Sequence, residues 1–184
     1  MIIGFQGIKN SYNDYATDEF IKRLKINIKK LPLTTSECVA RSLLNKEIDL
    51  GVIALKNNIA GIVEESDKIL KSNLFKIVDT IEMEISHCLF AFNESSAINP
   101  KIITSHPQAL KQCEKYLKSN YPNCELQKYI DTAKTAEDLK NGILNNRTLI
   151  ICSEKAGKEN GLYLVSKNIA DNISRTTFGL IKLI

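Results

Sequence analysis

The sequence predicts an α/β protein built from two successive blocks of strand–helix units. Short apolar runs such as 50–55 and 148–152 have the length and composition of strands buried on both faces of a parallel sheet. Stretches with apolar residues at helical spacing follow such runs, as in 16–24 and 110–117. The pattern changes near residues 81–92, and this change separates the two blocks.

The first block, residues 1–80, is predicted to alternate strands with helices. The strands are expected at 2–5, 31–33 and 50–55. The helices are expected after the polar turn 10–13, from 34–36, and over 62–71. The run 50–55 is expected to end at Lys56, Asn57 and Asn58, because these polar residues interrupt its apolar sequence.

The second block continues the alternation. Strands are expected at 81–85, 88–92, 102–104, 124–129 and 148–152. Helices are expected from Ser105 to 117, from Thr135 to near 144, and over 153–160 with Gly161 as the terminating residue. The final strand, 178–184, can return to either block. We assign it to a first lobe of 1–80 plus 165–184, beside a second lobe of 85–164. Two α/β lobes joined by crossing strands predict a ligand cleft between them.

Composition and charge narrow the function classes. The hydrophobic fraction of 43% is sufficient for an ordinary globular core, and the net charge of +4 comes from scattered lysines. A diffuse positive charge suits a small dianionic ligand, and no basic tract favours nucleic acid. No apolar run approaches the roughly 20 residues of a membrane span, and the amino end does not resemble a signal peptide. We therefore expect a cytoplasmic protein with no membrane partner.

The cysteines and one histidine are interpreted as core residues. The five cysteines are odd in number and widely separated, with no pair at metal-ligand spacing. We expect reduced thiols and no metal site. His87 lies within an apolar stretch, where a hydrogen-bonded core histidine is more common than a catalytic one.

The most informative stretch is 105–110, which ends a strand and opens a helix. Ser105 is placed as the helix N-cap, and Pro107 suits the first turn. A helix start presents free backbone N–H groups and the positive end of the helix dipole, so it can bind an anion such as a carboxylate. The alternative interpretation is a well-capped helix with nothing bound.

The sequence Ser-His-Pro-Gln-Ala-Leu at 105–110, followed by Gln112 and Cys113, resembles a motif of the prephenate dehydratases. Further stretches resemble other motifs of that family, in the same order along the chain. They are 3–7 with Tyr12 and Ala16, 51–63, 85–89, 135–137, and Asn172 with 176–178. The resemblance covers nearly the whole chain, and it implies two α/β lobes of the periplasmic-binding-protein-like (type II) architecture.

The resemblance implies a lyase that converts prephenate to phenylpyruvate in phenylalanine biosynthesis. No metal or organic cofactor is expected, because aromatisation of the ring drives the loss of CO₂ and water. The substrate carboxylates must be held, and a proton must reach the departing hydroxyl. By its place in the motif, Thr176 is the expected proton donor. The resemblance implies that the substrate-binding residues are Ser11, Asn57, Asn58, Ser105, His106, Gln108, Ala109, Thr135, Arg175, Thr177 and Phe178.

Several motif positions carry a different residue. The family's Glu-Asn-Ser/Thr corresponds to 56–58, so the ammonium of Lys56 stands where the family has a carboxylate. The family's Thr-Arg-Phe corresponds to 176–178, so Thr177 stands where the family has arginine. Asn10 replaces a glycine, and because asparagine tolerates positive φ, the turn is expected to survive.

The last motif has two possible alignments. In the second one, Ser174 and Arg175 keep the hydroxyl and the guanidinium, and the aromatic residue is lost. We prefer the first because it leaves 178–184 as an unbroken terminal strand.

These departures leave three function classes open, which differ in product. A dehydratase yields phenylpyruvate, a prephenate decarboxylase retains the hydroxyl, and a non-catalytic carboxylate-binding protein yields no product. Arogenate is an alternative substrate. The family's carboxy-terminal ACT domain is absent from these 184 residues, so we expect no phenylalanine feedback within them. The family also implies a homodimer.

Overall fold

A computed structural model describes residues 1–25 and 27–184. These residues form two compact units: unit 1 comprises 1–84 and 174–184, and unit 2 comprises 85–173. Each unit contains its own β-sheet and helices, which confirms the α/β prediction.

The bounds of the elements follow chain order. The strands are β1 (Ile2–Gln6), β2 (Lys29–Leu33), β3 (Leu50–Asn57), β4 (Gly61–Ile62), β5 (Phe75–Ile85), β6 (Cys88–Ala91), β7 (Ile102–Ser105), β8 (Glu125–Lys128), β9 (Thr148–Cys152), β10 (Tyr163–Ser166) and β11 (Ser174–Leu183). The helices are α1 (Tyr12–Leu24), α2 (Ser36–Leu44), α3 (Glu64–Lys71), α4 (Pro107–Gln112), α5 (Glu114–Asn120), α6 (Thr132–Lys140) and α7 (Glu154–Glu159), with a 3₁₀ turn at Ser95–Ala97.

The sheet of unit 1 has the strand order β2-β1-β3-β11-β5, with β4 paired to β3. Strands β1, β2 and β3 are parallel, and β11 runs antiparallel to β3. The predicted end of β3 at Lys56 was wrong, because β11 supplies backbone partners as far as Asn57. For the same reason β11 begins at Ser174 instead of Phe178. Strand β5 begins at Phe75, ahead of the expected 81.

The turn before α1 confirms the prediction for Asn10. This residue has a φ of 67°, the left-handed conformation that glycine or asparagine adopts most readily. Ser11 follows as the N-cap of α1, and its hydroxyl accepts from the backbone N–H of Asp14 at 3.3 Å. The helix then buries Ala16 and Phe20 completely. The altered motif therefore keeps its turn and helix start.

The sheet of unit 2 has the strand order β10-β6-β9-β7-β8. Strand β7 is parallel to both β8 and β9, so the helices that follow β7 and β8 start at the same edge of this sheet. Two predicted helix starts were wrong. The N-cap of α4 is His106, one residue after Ser105. The N-cap of α6 is Asp131, so Thr135 lies within the helix.

Residues 165–173 group with unit 2, whereas the sequence placed them in the first lobe. The backbone N–H of Ile169 donates to the carbonyl of His87 at 2.9 Å. The Asp171 carboxylate accepts from the backbone N–H groups of Lys115 and Tyr116, at 2.9 and 3.2 Å. These bonds hold the segment against the start of α5. The division into two functional lobes stays a prediction.

All five cysteines are free. Cys88, Cys113 and Cys152 are fully buried, and burial raises the pKa of the Cys113 thiol to about 12 and that of Cys152 as well. Such thiols are unreactive packing residues. Among the residues described, no helix combines the length and apolar character that crossing a bilayer requires.

Candidate active site

The side chain of Asn57 organises the end of β3 in unit 1. Its Nδ2 group donates to Ser174 Oγ and to Thr176 Oγ1, both at 2.9 Å. Its Oδ1 atom accepts from the backbone N–H groups of Ile59 and Ala60, also at 2.9 Å. A side-chain amide has two donor hydrogens and two acceptor lone pairs, so Asn57 uses its full capacity.

The two candidate hydroxyls on β11 therefore share one partner. Thr176 keeps 8% of its surface exposed, whereas Ser174 keeps 1%. Because Thr176 Oγ1 accepts from Asn57, its hydroxyl hydrogen is directed elsewhere and can be donated. Thr176 is thus the less buried of the two residues, and the choice between the two alignments stays a prediction.

Two hydrogen bonds join Asn58 to the backbone of Arg175. Asn58 Oδ1 accepts from the Arg175 N–H at 2.7 Å, and the Asn58 N–H donates to the Arg175 carbonyl at 3.0 Å. The Arg175 side chain is exposed, and Thr177 is half-buried. Phe178 is only 2% exposed and packs within unit 1, so it supports the strand and has little surface for a ligand.

Ser11, the predicted binding residue near the amino end, is committed to capping α1. Next to it, the buried Asp14 carboxylate accepts from the Asn10 N–H at 2.9 Å and pairs with Lys30 at 2.5 Å. This ion pair, which the sequence analysis did not identify, ties the turn before α1 to β2. Ser11 thus has a structural role, and ligand contact stays a prediction.

In unit 2, the residues of the 105–110 motif divide into buried and accessible members. Ser105 is fully buried, and its hydroxyl donates to the Ile151 carbonyl on β9 at 2.6 Å. His106 Nδ1 accepts from the Gln108 backbone N–H at 3.2 Å, so the neutral ring carries its proton on Nε2. Gln108 is exposed, and Ala109 is core. His106 and Gln108 are thus the members whose side chains can reach a ligand.

The start of α6 contains a polar network that the sequence analysis missed. Thr135 is fully buried, and its hydroxyl donates to the Thr132 carbonyl at 2.6 Å. The Tyr129 hydroxyl donates to Asp138 Oδ2 at 2.5 Å, and Lys134 pairs with Oδ1 of the same carboxylate at 3.0 Å. The hydrogen bond to Asp138 raises the pKa of Tyr129. The sequence analysis did not connect Asp138 with Tyr129, although the two residues are only nine positions apart in the sequence.

His87 is confirmed as a hydrogen-bonded core residue. It is 4% exposed, and its Nε2 lies 2.7 Å from Gln112 Oε1. Burial lowers the pKa of His87, and the hydrogen bond to Gln112 opposes that shift. Gln112 was noted as part of a motif but not as a partner of this histidine.

None of these groups forms a cluster of metal-ligating side chains within residues 1–25 and 27–184. Unit 1 contains hydroxyl, amide and guanidinium groups, and unit 2 contains amide and imidazole groups. Groups of these kinds can bind carboxylates and transfer protons.

Comparison with known proteins identifies similar sequences. The prephenate dehydratase family model matches residues 3–183. The bifunctional chorismate mutase/prephenate dehydratase of Buchnera aphidicola subsp. Schizaphis graminum is 32% identical over 93% of this chain and 45% of its own length. Arogenate dehydratase/prephenate dehydratase 2 of Arabidopsis thaliana is 27% identical over 95% of the chain and 44% of its own length. The chain thus spans less than half the length of these two relatives.

Solved structures share the fold. Prephenate dehydratase from Arthrobacter aurescens, determined in complex with L-Phe, has a TM-score of 0.87 at 20% identity, over 100% of this chain and 61% of its own. A structure described as a "putative methionine-binding lipoprotein" of Bacillus subtilis has a TM-score of 0.50 at 11% identity, over 97% of this chain and 82% of its own. The periplasmic-binding-protein-like fold class is therefore confirmed.

The four hydrogen bonds of Asn57 predict a large loss of stability in Asn57→Ala. Removal of the amide leaves two hydroxyls and two backbone N–H groups without this partner, and we expect the free energy of unfolding to fall by roughly 3 kcal/mol. Asn58→Ala is the control, since loss of the bond to the Arg175 N–H is expected to cost about 1 kcal/mol. Urea denaturation measures both. Equal losses would contradict the central role of Asn57.

The buried His87 predicts a pH-dependent contribution to stability. Its folded pKa is lowered, so below the ordinary value of 6.5 the unfolded chain binds a proton that the folded chain resists. Wild-type stability should therefore fall, relative to His87→Gln, between pH 7.5 and 5.0, by at most about 1.4 kcal/mol per pH unit. A difference between the two proteins that is independent of pH would contradict this assignment.

Proposed function

Because the chain belongs to the prephenate dehydratase family, we propose that it catalyses the decarboxylating dehydration of prephenate to phenylpyruvate, with Thr176 as the proton donor. The observation that carries the proposal is the hydrogen bond from Asn57 Nδ2 to Thr176 Oγ1. This bond orients a largely buried hydroxyl at the position where the family's motif has its threonine. Because the Thr176 oxygen is the acceptor in this bond, the hydrogen of its hydroxyl can still be donated to a substrate.

The reaction requires one proton and no external electron acceptor. The electron pair of the bond to the departing carboxylate enters the ring, and the ring expels its hydroxyl as water once a proton reaches that oxygen. Prephenate and one proton therefore yield phenylpyruvate, CO₂ and water. The Thr176 hydroxyl supplies the proton and recovers one from solvent. A fixed donor near the leaving oxygen is typically worth a factor of 10² to 10⁴ in rate.

The substrate carboxylates require donors, and both units contain accessible ones. In unit 2 these are His106, through Nε2–H, and Gln108. In unit 1 they are Asn58 and the Arg175 guanidinium, which can hold a carboxylate through two hydrogen bonds. Ser11, Ser105, Ala109, Thr135 and Phe178 are proposed to shape the backbone around these donors, since their side chains are buried. Homodimer formation stays a prediction from the family resemblance, and a cytoplasmic location stays a prediction from the sequence.

Substitution of the two hydroxyl residues tests the assignment. Thr176→Ala should lower kcat for phenylpyruvate formation by at least a hundredfold with little change in prephenate affinity, because the interaction lost acts in proton transfer. Thr176→Ser keeps the hydroxyl and should retain most of the activity. Ser174→Ala is the matched control, because it removes the other hydroxyl that bonds Asn57, and its effect should be mild.

The reverse pattern, with Ser174→Ala inactive and Thr176→Ala active, would support the second alignment. Product analysis separates the other function classes. Prephenate consumed without phenylpyruvate indicates the decarboxylase, and prephenate bound but unchanged indicates a non-catalytic carboxylate-binding protein. Parallel assays with arogenate identify the preferred substrate.

A further inference from the structure

Strand β5 forms one edge of the sheet in unit 1, and it differs from the other strands at the ends of the two sheets. It has 11 residues and no proline. The opposite edge, β2, contains Pro32 and two lysines, and the edge strands β8 and β10 of unit 2 have four residues each. Proteins protect exposed edges with short strands, lysine and proline, because an open edge is a template for pairing with another chain. Strand β5 is therefore the least protected of these four edges.

The backbone groups of Thr80 indicate which residues of β5 face the open edge. The Thr80 N–H donates to Asp79 Oδ1 at 2.7 Å, and the Thr80 carbonyl accepts from Arg23 on α1 at 3.2 Å. Both groups are bonded to side chains, so they are directed away from β11, the strand on the other side of β5. Because this direction alternates along a strand, the backbone groups of residues 76, 78, 82 and 84 also face the open edge. These residues can therefore pair with an added strand.

Side chains on both faces of β5 are exposed as well. Ile77 is 43% exposed and Val78 is 48% exposed, and as sequence neighbours in a strand they project to opposite faces. Lys76, Glu82 and Glu84 are exposed, and within the part of the chain that the structure describes none of them forms an ion pair. An added strand therefore covers apolar surface on both faces, and it supplies counter-ions if its charges match.

The sequence of β5 is complementary to itself in one antiparallel register. With a two-fold axis at Thr80, residue 76 of one copy lies opposite residue 84 of the other, and residue 77 lies opposite 83. Each copy then places Lys76 opposite Glu84 of the second copy, and Ile77 opposite Met83. Opposite charges and apolar side chains that face each other directly stabilise a strand pair. The remaining pairs are Val78 with Glu82, Asp79 with Ile81, and Thr80 with itself.

Neighbouring registers match the charges less well. An axis at Asp79 places two aspartates opposite each other, and like charges in that position destabilise a strand pair. An axis at Ile81 leaves Lys76 opposite Ser86, which lies outside β5. Charge therefore favours the register centred on Thr80.

We propose that a second copy of this chain binds along β5 in this register, so that the unit 1 sheets of the two copies join into one sheet. The family resemblance implies a homodimer but no interface, whereas the self-complementary charges of β5 identify both the surface and the partner. The strand β11, which carries Thr176, lies beside β5. Each copy therefore has its proposed proton donor on the second strand from the interface.

Pairing of the two copies changes the hydrogen bonds of Thr80. Its N–H and carbonyl groups exchange their bonds to Asp79 and Arg23 for backbone bonds to the second copy. The ion pair between Arg23 and Asp79, at 2.9 Å, can remain because it does not involve the backbone. Since one hydrogen bond replaces another, the exchange opposes pairing only weakly.

Reversal of the two charges tests both the surface and the register. Sedimentation equilibrium of the wild-type protein should show a monomer–dimer equilibrium in the micromolar range. Lys76→Glu and Glu84→Lys each turn two attractions between the copies into repulsions, so each should weaken dimerisation about tenfold or more. The double variant restores opposite charges at both places and should recover the wild-type dissociation constant. Lys29→Glu is the matched control, because it makes the same reversal on β2, at the opposite edge of the same sheet.

Folding and activity are measured separately from association. Lys76 and Glu84 are exposed, so circular dichroism of all variants should match the wild type. A wild-type protein that stays monomeric at the highest soluble concentration overturns the proposal. So does a dimer whose dissociation constant is unchanged by the single reversals, or a double variant that is as weak as the singles. None of these results depends on phenylpyruvate formation, so the interface and the proposed function can fail independently.

Discussion

One asparagine side chain connects the segments on which the proposed chemistry depends. Asn57 ends β3, and its amide bonds two hydroxyls of β11 that lie 117 and 119 residues further along the chain. The same amide closes the turn after β3 through two backbone N–H groups. Because donors and acceptors are all used, the turn, the strand pairing and the orientation of Thr176 form one unit. The residues next to Asn57 differ from the family's motif, and Asn57 itself provides the two donor hydrogens and two acceptor lone pairs that its four partners use.

Local patterns in the sequence were sufficient for the fold class and for most elements. They failed where a distant partner decides the structure. Ser105 and His106 are both polar residues before Pro107, and local propensity favours serine as the cap. The carbonyl of Ile151 on β9 takes the serine hydroxyl, so the imidazole becomes the cap. The polar end of β3 likewise suggested a break that pairing with β11 removes.

The site was predicted in its residue types more fully than in its geometry. The motifs predict a role for Thr176 and its neighbours, but no local rule shows that Ser174 and Thr176 share one amide. Burial also divides the predicted binding residues. Buried members such as Ser105 hold strands together, whereas exposed ones such as Arg175 are available to a ligand. The sequence also did not show that Thr177 on β11 lies opposite Lys56 on β3, because strand register is a property of the folded chain.

The most direct measurement of the central claim is incubation of the purified protein with prephenate at neutral pH, with phenylpyruvate followed by its absorbance in alkali. A dehydratase with an oriented Thr176 hydroxyl predicts phenylpyruvate well above the uncatalysed rate, together with one CO₂ per product. Prephenate that remains intact, or that loses CO₂ while it keeps its hydroxyl, would contradict the assignment and show that the fold has been retained without its dehydration chemistry.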